Sequence, residues 1–379
     1  MEINEILLMY GNKPEGATVS EHLTSGQRGS PLVEMAFKLA ESAGLALLIG
    51  DRKKRIGLKP NLVVSRPAEN GATTHPEIAA GLISYLKKNG FNNIVILEGS
   101  WTGDTTTKAF FNCGYKSLAR ETGVELIDTQ TDRYELLDCS GLKIEICKSA
   151  LEVDYMINLP VLKGHCQTHL TCALKNNKGL ISNREKRRFH VQGLHKPIAC
   201  LNTKIRNDFI LVDGICGDPD FEEGGNPLYG GRLFAARDPV LCDAFAAQLM
   251  GLDLQEVPYI RLAEKLGVGK TGPAHVRELN KISGISSPSP RYSAGKVRQL
   301  TGLVRESDAC SACYSSLVFA LSRLDSHERS LTGELCIGQG FRGKTGKIGI
   351  GQCASSFNFF CPGCPPTGSE ILSFLRKQI

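Results

Sequence analysis

At 379 residues with 41% hydrophobic and 22% charged side chains, the chain can bury a large core and a second smaller one, which excludes a disordered or fibrous polymer. A formal charge of +6, with cations mostly interleaved among acids, excludes bulk binding of nucleic acid. No apolar run approaches the roughly 18 residues of a membrane span, and the opening Met1-Glu2-Ile3-Asn4-Glu5 lacks the basic, apolar start of a secretion signal, so the expected location is the cytoplasm, with no membrane partner.

From Pro31 to about Val153 the pattern alternates between helical and strand periods, which predicts an open, mostly parallel sheet with helices on both faces. A helix from Pro31 to Ala43 leads to a strand ending at Lys59-Pro60-Asn61-Leu62-Val63-Val64. A second helix starts at His75-Pro76-Glu77, with proline in its first turn, and stops at Asn89-Gly90. The β-branched run Asn93 to Gly99 predicts a buried strand, Thr106 to Thr122 one helix, and Val124 to Asp128 another strand. Asp154 to Pro160 and Phe209 to Gly214 read as further buried strands that deliver polar residues to their C-terminal ends, where open α/β sheets bind ligands. Arg232 to Ala236 and a helix from Asp238 to Met250 complete a main domain over residues 1–270.

Residues 271–300 are rich in Gly, Ser, Pro and Lys and predict a linker or covering loop. Residues 301–379 predict a small α/β module: a helix near Cys313 to Leu324, two short strands around Leu335 and Ile348, and a last helix from Ser369 to Lys377. Six of the fourteen cysteines fall in it. Cytosolic thiols stay reduced, so clustered ones suggest metal ligands rather than a disulfide framework. Cys310-Ser-Ala-Cys313 and Cys361-Pro-Gly-Cys364 are two C-x-x-C steps, each able to place two thiolates on one centre, with Cys336 and Cys353 between them. Proline after Cys364, flanking glycines and the lack of a histidine at ligand spacing favour an iron-sulfur cluster, most readily [4Fe-4S]. Structural zinc and buried free thiols are the alternatives.

The ordered elements Lys59-Pro60-Asn61, Thr74-His75-Pro76, Leu162-Lys163-Gly164-His165, Leu174-Lys175-Asn176, Lys178-Gly179, His190, Asp213-Gly214 and Asp238-Pro239 with Asp243 resemble the family catalogued as domain of unknown function 362, over about residues 55–270. Members often carry iron-sulfur modules. The tail is similar to the variant with C-x-x-C, Gly-x-Cys and Gly-Cys-Pro-Pro, and that resemblance implies Cys310, Cys313, Cys353 and Cys364 as ligands, with Cys361 as the alternate. The Gly-Cys-Pro-Pro tetrad also resembles, locally, a cluster ligand in small subunits of nickel-iron hydrogenases and of respiratory complex I.

Between Lys163 and His195 lies the most basic segment of the chain, just beyond a predicted strand, which suits a carboxylate or phosphate ligand. Lys163, His165, Lys175, Asn176, His190 and Asp213 are the candidate catalytic residues, with His165 as general acid or base. Arg184 to Arg188 read more simply as a solvated helix face. His165, His169 and His190 could instead gather with Asp213 or Asp243 on a divalent metal. Glu98 and Asp104 could line the same crevice. Gly338 to Thr345 matches the G-x-G-x-x-G and G-x-x-x-x-G-K-[ST] patterns, but a strand-like run rather than a helix follows, so the match reads as accidental.

Three functions fit: a redox enzyme acting on a small anion with electrons from a redox partner protein, an electron carrier or maturation factor docking partner proteins, and a divalent-metal enzyme with structural zinc in the tail.

Overall fold

The computed structural model describes residues 1–11, 30–280 and 295–378. Eight strands form the main sheet: β1 Glu5–Tyr10, β2 Ile56–Pro60, β3 Ile94–Glu98, β4 Glu125–Asp128, β5 Tyr155–Leu159, β6 Phe209–Gly217, β7 Leu228–Ala236 and β8 His275–Glu278. Their order is β8-β1-β7-β6-β5-β2-β3-β4, parallel throughout except where β7 pairs antiparallel with β6 and β1. Helices cover both faces. The period-two alternation of a strand sends Ile94, Ile96, Phe209 and Leu211 into one core and Val95, Leu97, Ile210 and Val212 into the other.

Several elements differ from the sequence expectation. The helix expected over Thr106 to Thr122 is two, Thr106–Asn112 and Tyr115–Thr122, because Gly114 turns the chain at φ +79°. Within the stretch read as linker, His275–Glu278 is the sheet's edge strand and Gly295–Leu300 is a helix, while residues 281–294 lie outside the described ones. Glu5–Tyr10 and the hairpin Tyr134–Cys139/Leu142–Cys147 are additional strands.

The tail carries four short parallel strands, β9 Val304–Glu306, β10 Leu335–Ile337, β11 Ile348–Ile350 and β12 Phe359–Cys361. Helices Ser311–Ser322 and Gly368–Arg376 pack against them over a core that includes Leu317, Leu321, Ile337, Ile350, Ile371 and Leu375. Cys166 of the main domain belongs to this core, with its thiol 3.2 Å from Ser315 Oγ. Gln167 Nε2 donates to Ala309 O (2.8 Å) and Val297 N to Asp220 Oδ1 (3.2 Å), so the tail docks on loops at the C-terminal edge of the main sheet.

No helix among the described residues is long and apolar enough to cross a membrane.

Candidate functional site

The chain leaves β2 toward β3 and β4, then returns to the other side of β2 as β5. Such a reversal opens a crevice beyond the strand ends. Asn176 marks the point: its Nδ2 donates to Lys59 O on β2 (3.0 Å) and to Asn158 Oδ1 on β5 (2.7 Å). The short helix Ala173–Asn176 is fixed at its start by Asp243, whose carboxylate accepts from Ala173 N (2.7 Å) and Leu174 N (3.2 Å).

Above this crevice lies a cavity of about 500 Å³. Lys175, Asn176, Lys178 and Gly179 form its floor, Lys186 and His190 one side, and Trp101 with Val63 another. The tail supplies the roof through Cys310, Cys313, Ser315 and Cys364. One space therefore joins the cysteine constellation to the basic segment.

The floor is a set of ion pairs in which the basic partners are buried and Glu222 is partly exposed. Glu222 Oε1 lies 3.0 Å from Lys175 Nζ, and its Oε2 lies 2.9 Å from His165 Nε2. Burial alone would raise the Glu222 carboxyl, but Lys175 and His165 hold it well below the usual carboxylate range. His165 Nδ1 accepts from Gln167 N (3.0 Å) and Thr168 N (3.1 Å), so the ring's proton sits on Nε2 and points at Glu222. Burial and then the neighbouring Lys175 push His165 down to about 4, keeping it neutral. Below this layer Lys59 and Glu98 pair at 2.8 Å, both essentially inaccessible. A methyl on Gly179 would lie 2.0 Å from Glu98 Oε1, so only glycine lets the backbone close over the pair.

Lys186 and Lys178 of the lining have no carboxylate within 4.0 Å among the described residues. Lys186 is 5% exposed and donates to Gly99 O (2.9 Å) and Ser100 O (2.8 Å). Lys178 faces His190 Nε2 at 3.4 Å, and the buried His190 Nδ1 has no partner. Burial pushes each lysine down to about 8, and the charge of the adjacent Lys178, then burial, drives His190 down to about 2.

The site thus gathers His165, Lys175, Asn176, His190, Cys310, Cys313 and Cys364 of the residues expected from sequence. Lys163 does not line the cavity. Its ammonium is held by Ala72 O, Glu222 O (2.8 Å) and Asn61 Oδ1 (3.3 Å), which makes it a clamp on the loop that carries Glu222. Asp213 is likewise turned away, bonding His75 Nδ1 (2.7 Å) and His75 N (2.9 Å). Asp104 caps Ser65 N (2.7 Å). The expected gathering of His165, His169 and His190 on Asp213 or Asp243 does not form among the described residues, because the backbone engages Asp243 and His75 engages Asp213. Cys172, Cys242 and Asp243 do meet within 4.8 Å, but all are fully buried and burial pushes their pKa values up, which favours the neutral forms, Asp243 to about 7. The Arg184 to Arg188 run is only partly a solvated face: Arg184 reaches out to Glu145, whereas Lys186 points into the cavity.

Glu222 escaped the sequence reading. It sits in Asp218-Pro219-Asp220-Phe221-Glu222-Glu223-Gly224-Gly225, directly after β6, in a loop tied by Asp218 Oδ1 to the Asp220 and Phe221 amides (2.9 Å each). An acidic pair after a strand's C-terminal end was the available signal.

Cys310 precedes helix Ser311–Ser322 and Cys313 is in its first turn, where the helix dipole favours thiolate. Burial, then the repulsion of Cys310, Cys364 and Cys353, pushes Cys313 up to about 12. Burial and the same neighbours raise Cys310. Gln339 Nε2 lies 3.6 Å from Cys310 Sγ, and the Arg342 guanidinium is hydrogen-bonded to Cys353. Cys361 instead joins the tail's apolar core, its thiol directed to Pro362 O (3.9 Å). The Gly338 to Thr345 stretch forms a short 3-10 turn and leads into β11, with no helix after it.

The family model described as "Domain of unknown function (DUF362)" matches residues 56–248, which run from β2 past β7 and include the cavity floor. The chain belongs to this family. This chain, with its domain of unknown function, is also similar to the "Thylakoid-associated protein sll1697" of Synechocystis sp. (strain ATCC 27184 / PCC 6803 / Kazusa), 26% identical over 277 residues, with 67% of this chain and 83% of that one covered. Among solved structures, the lactate racemase apoprotein from Thermoanaerobacterium thermosaccharolyticum aligns with a TM-score of 0.41 and 17% identity, covering 58% of this chain and 55% of that one. The cysteine-rich tail lies beyond the residues matched by the family.

Two measurements probe this geometry. A methyl at position 164 would lie 1.9 Å from Pro219 O, so Gly164→Ala is expected to destabilise the protein by about 1–3 kcal/mol or more and to displace the Glu222 loop; thermal unfolding reads it. His165 binds a proton less readily folded than unfolded, so its contribution is complete above about pH 6.5 and is lost as pH falls through about 4. Stability is expected to drop by on the order of 3 kcal/mol across that window, and His165→Gln to flatten part of the slope in pH-dependent urea titrations.

Proposed function

We propose that the protein is an iron-sulfur enzyme that binds a small organic anion between its lysine-lined floor and a cluster in its tail. The observation that carries this reading is the shared cavity, with Cys310, Cys313 and Cys364 on one wall and Lys175, Lys186, His165 and Glu222 on the others. Cys310, Cys313, Cys353 and Cys364 would hold the cluster. The mutual repulsion of these thiols is what a polynuclear cation relieves, and Arg342 and Gln339 supply donors to the sulfurs.

Such a cluster would supply single electrons to a bound substrate. The chain's own residues supply the rest. Lys178 and Lys186 hold the negative charge of the ligand, and the hydrogen-bonded His165, Glu222 and Lys175 form a set able to give or take a proton beside it. The exposure of Cys364 supports access for a redox partner protein, and it is also the observation behind the second reading, an electron carrier that docks partners there.

Anaerobic purification with iron, sulfide and zinc quantitation, followed by electron paramagnetic resonance of the reduced protein, tests the proposal. Iron and sulfide in equal amounts with a reduced-cluster signal are expected. Stoichiometric zinc without sulfide would remove both redox readings.

A further inference from the structure

The lining of the cavity is mostly apolar, and this is unusual for a site built over so many charges. Val63, Val191, Ala312 and Pro365 contribute to it, and Trp101 stands at its side, 43% exposed. Trp101 is the chain's single tryptophan. A methyl on Gly103 would lie 2.3 Å from Trp101 Cζ2, so the indole rests flush on the backbone of its own loop. That loop is pinned: Trp101 N donates to Val63 O (3.0 Å), and Gln130 Nε2 donates to Ser100 O, Trp101 O and Asp104 O at 3.1–3.2 Å. The indole is therefore a braced plate presented to the cavity.

Directly beside it, Lys186 Nζ is anchored on Gly99 O and Ser100 O. An ammonium has three N–H donors, so two are used and one is left for a ligand. Lys178 and the unpartnered His190 Nδ1 add a second polar point nearby. Arg187 and Lys175 also line the cavity, so its cations suit a small anion, and the two donors beside Trp101 match the two oxygens of a carboxylate.

We propose that the cavity takes a flat aromatic or conjugated carboxylate, its π-system against Trp101 and its carboxylate toward Lys186 and Lys178. The inference rests on the reading of this cavity as the substrate site. It narrows the anion to one that pairs a planar apolar body with a single carboxylate, since stacking on an indole rewards a flat ring and the buried lysines reward one negative charge.

The test uses protein purified anaerobically as the full chain, titrated with sodium benzoate, cyclohexanecarboxylate, acetate and inorganic phosphate by calorimetry, with iron measured in the same samples. Quenching of the Trp101 fluorescence by benzoate provides a second signal. Benzoate is expected to bind about fivefold or more tightly than the other three, a ratio matching the gain from one aromatic contact. Trp101→Ala should abolish that preference and Trp101→Phe keep part of it, while Lys186→Met should weaken benzoate about tenfold or more, a lost charge-assisted hydrogen bond. Equal binding of acetate or phosphate, or an unchanged preference in Trp101→Ala, would overturn the proposal. Benzoate selectivity in iron-free protein would leave the ligand class standing and remove the redox reading; iron and sulfide without selectivity would do the reverse.

Discussion

Replacing Cys364 with serine is expected to strip most of the iron and sulfide from the protein and bleach its broad visible absorbance, while leaving the main sheet folded. Cys364 is an exposed thiol on the cavity roof, so serine costs little packing. What it would remove is one of the four soft ligands proposed for the cluster, and a hydroxyl is a poor donor to iron at neutral pH. Cys361→Ser should behave in the opposite way. That thiol sits in the tail's apolar core, 2% exposed, so its loss should lower thermal stability and spare most of the metal. Iron and sulfide analysis beside a thermal melt separates the two. Unchanged colour in Cys364→Ser would remove it from the ligand set.

The largest loss of stability is expected from Glu98→Ala. Glu98 Oε2 accepts from Lys59 Nζ and from Leu62 N, both at 2.8 Å, and Oε1 from Gly99 N at 2.7 Å. Removing it leaves the ammonium of Lys59 buried without a counter-charge. Burial already lowers the affinity of that ammonium for its proton, and Glu98 is the main influence opposing the shift. Breaking a buried pair from one side typically costs about 3–5 kcal/mol. Replacing both residues together, as Lys59→Met with Glu98→Gln, should cost much less, because no lone charge remains. Urea denaturation of the single and double variants closes the cycle. A cost below about 1 kcal/mol for Glu98→Ala would mean that water reaches Lys59 and the pair is not sealed.

Much of the main sheet was legible because its central strands are continuous apolar runs bounded by helix caps. β3 and β5 lie within a residue or so of their expected limits, and Asp238 caps its helix through the amides of Val240 and Leu241 as its place before Pro239 implied. The hairpin was legible in principle: Ser140 and Gly141 both adopt positive φ, a two-residue turn between two short runs, but each six-residue run carries two charges, which dilutes the apolar signal of a strand. The edge strand His275–Glu278 was hidden because all four residues are exposed, so no periodicity marks it.

At the site, part of the basic segment read from the sequence lines the cavity, whereas Lys163 and Asp213 do not. A strand-end position says that a residue is near the crevice, not which way its side chain turns, and both are satisfied by partners far along the chain: Lys163 by Ala72 O and Asp213 by His75. Glu222 left a weaker trace, an acidic pair after a strand's C-terminal end, beside a segment whose many cations call for a counter-charge. That the tail roofs the same cavity is a fact of docking, carried by single residues such as Cys166 and Gln167 that no motif flags.

The seam between the tail and the main sheet has a thermodynamic corollary. Any transient detachment of the tail would uncover the lysines and the thiols in one event, because the same boundary shelters both. On the proposed reading, occupancy of either half would guard the other: a bound carboxylate would raise the affinity for metal, and a seated metal would raise the affinity for the carboxylate by the same factor.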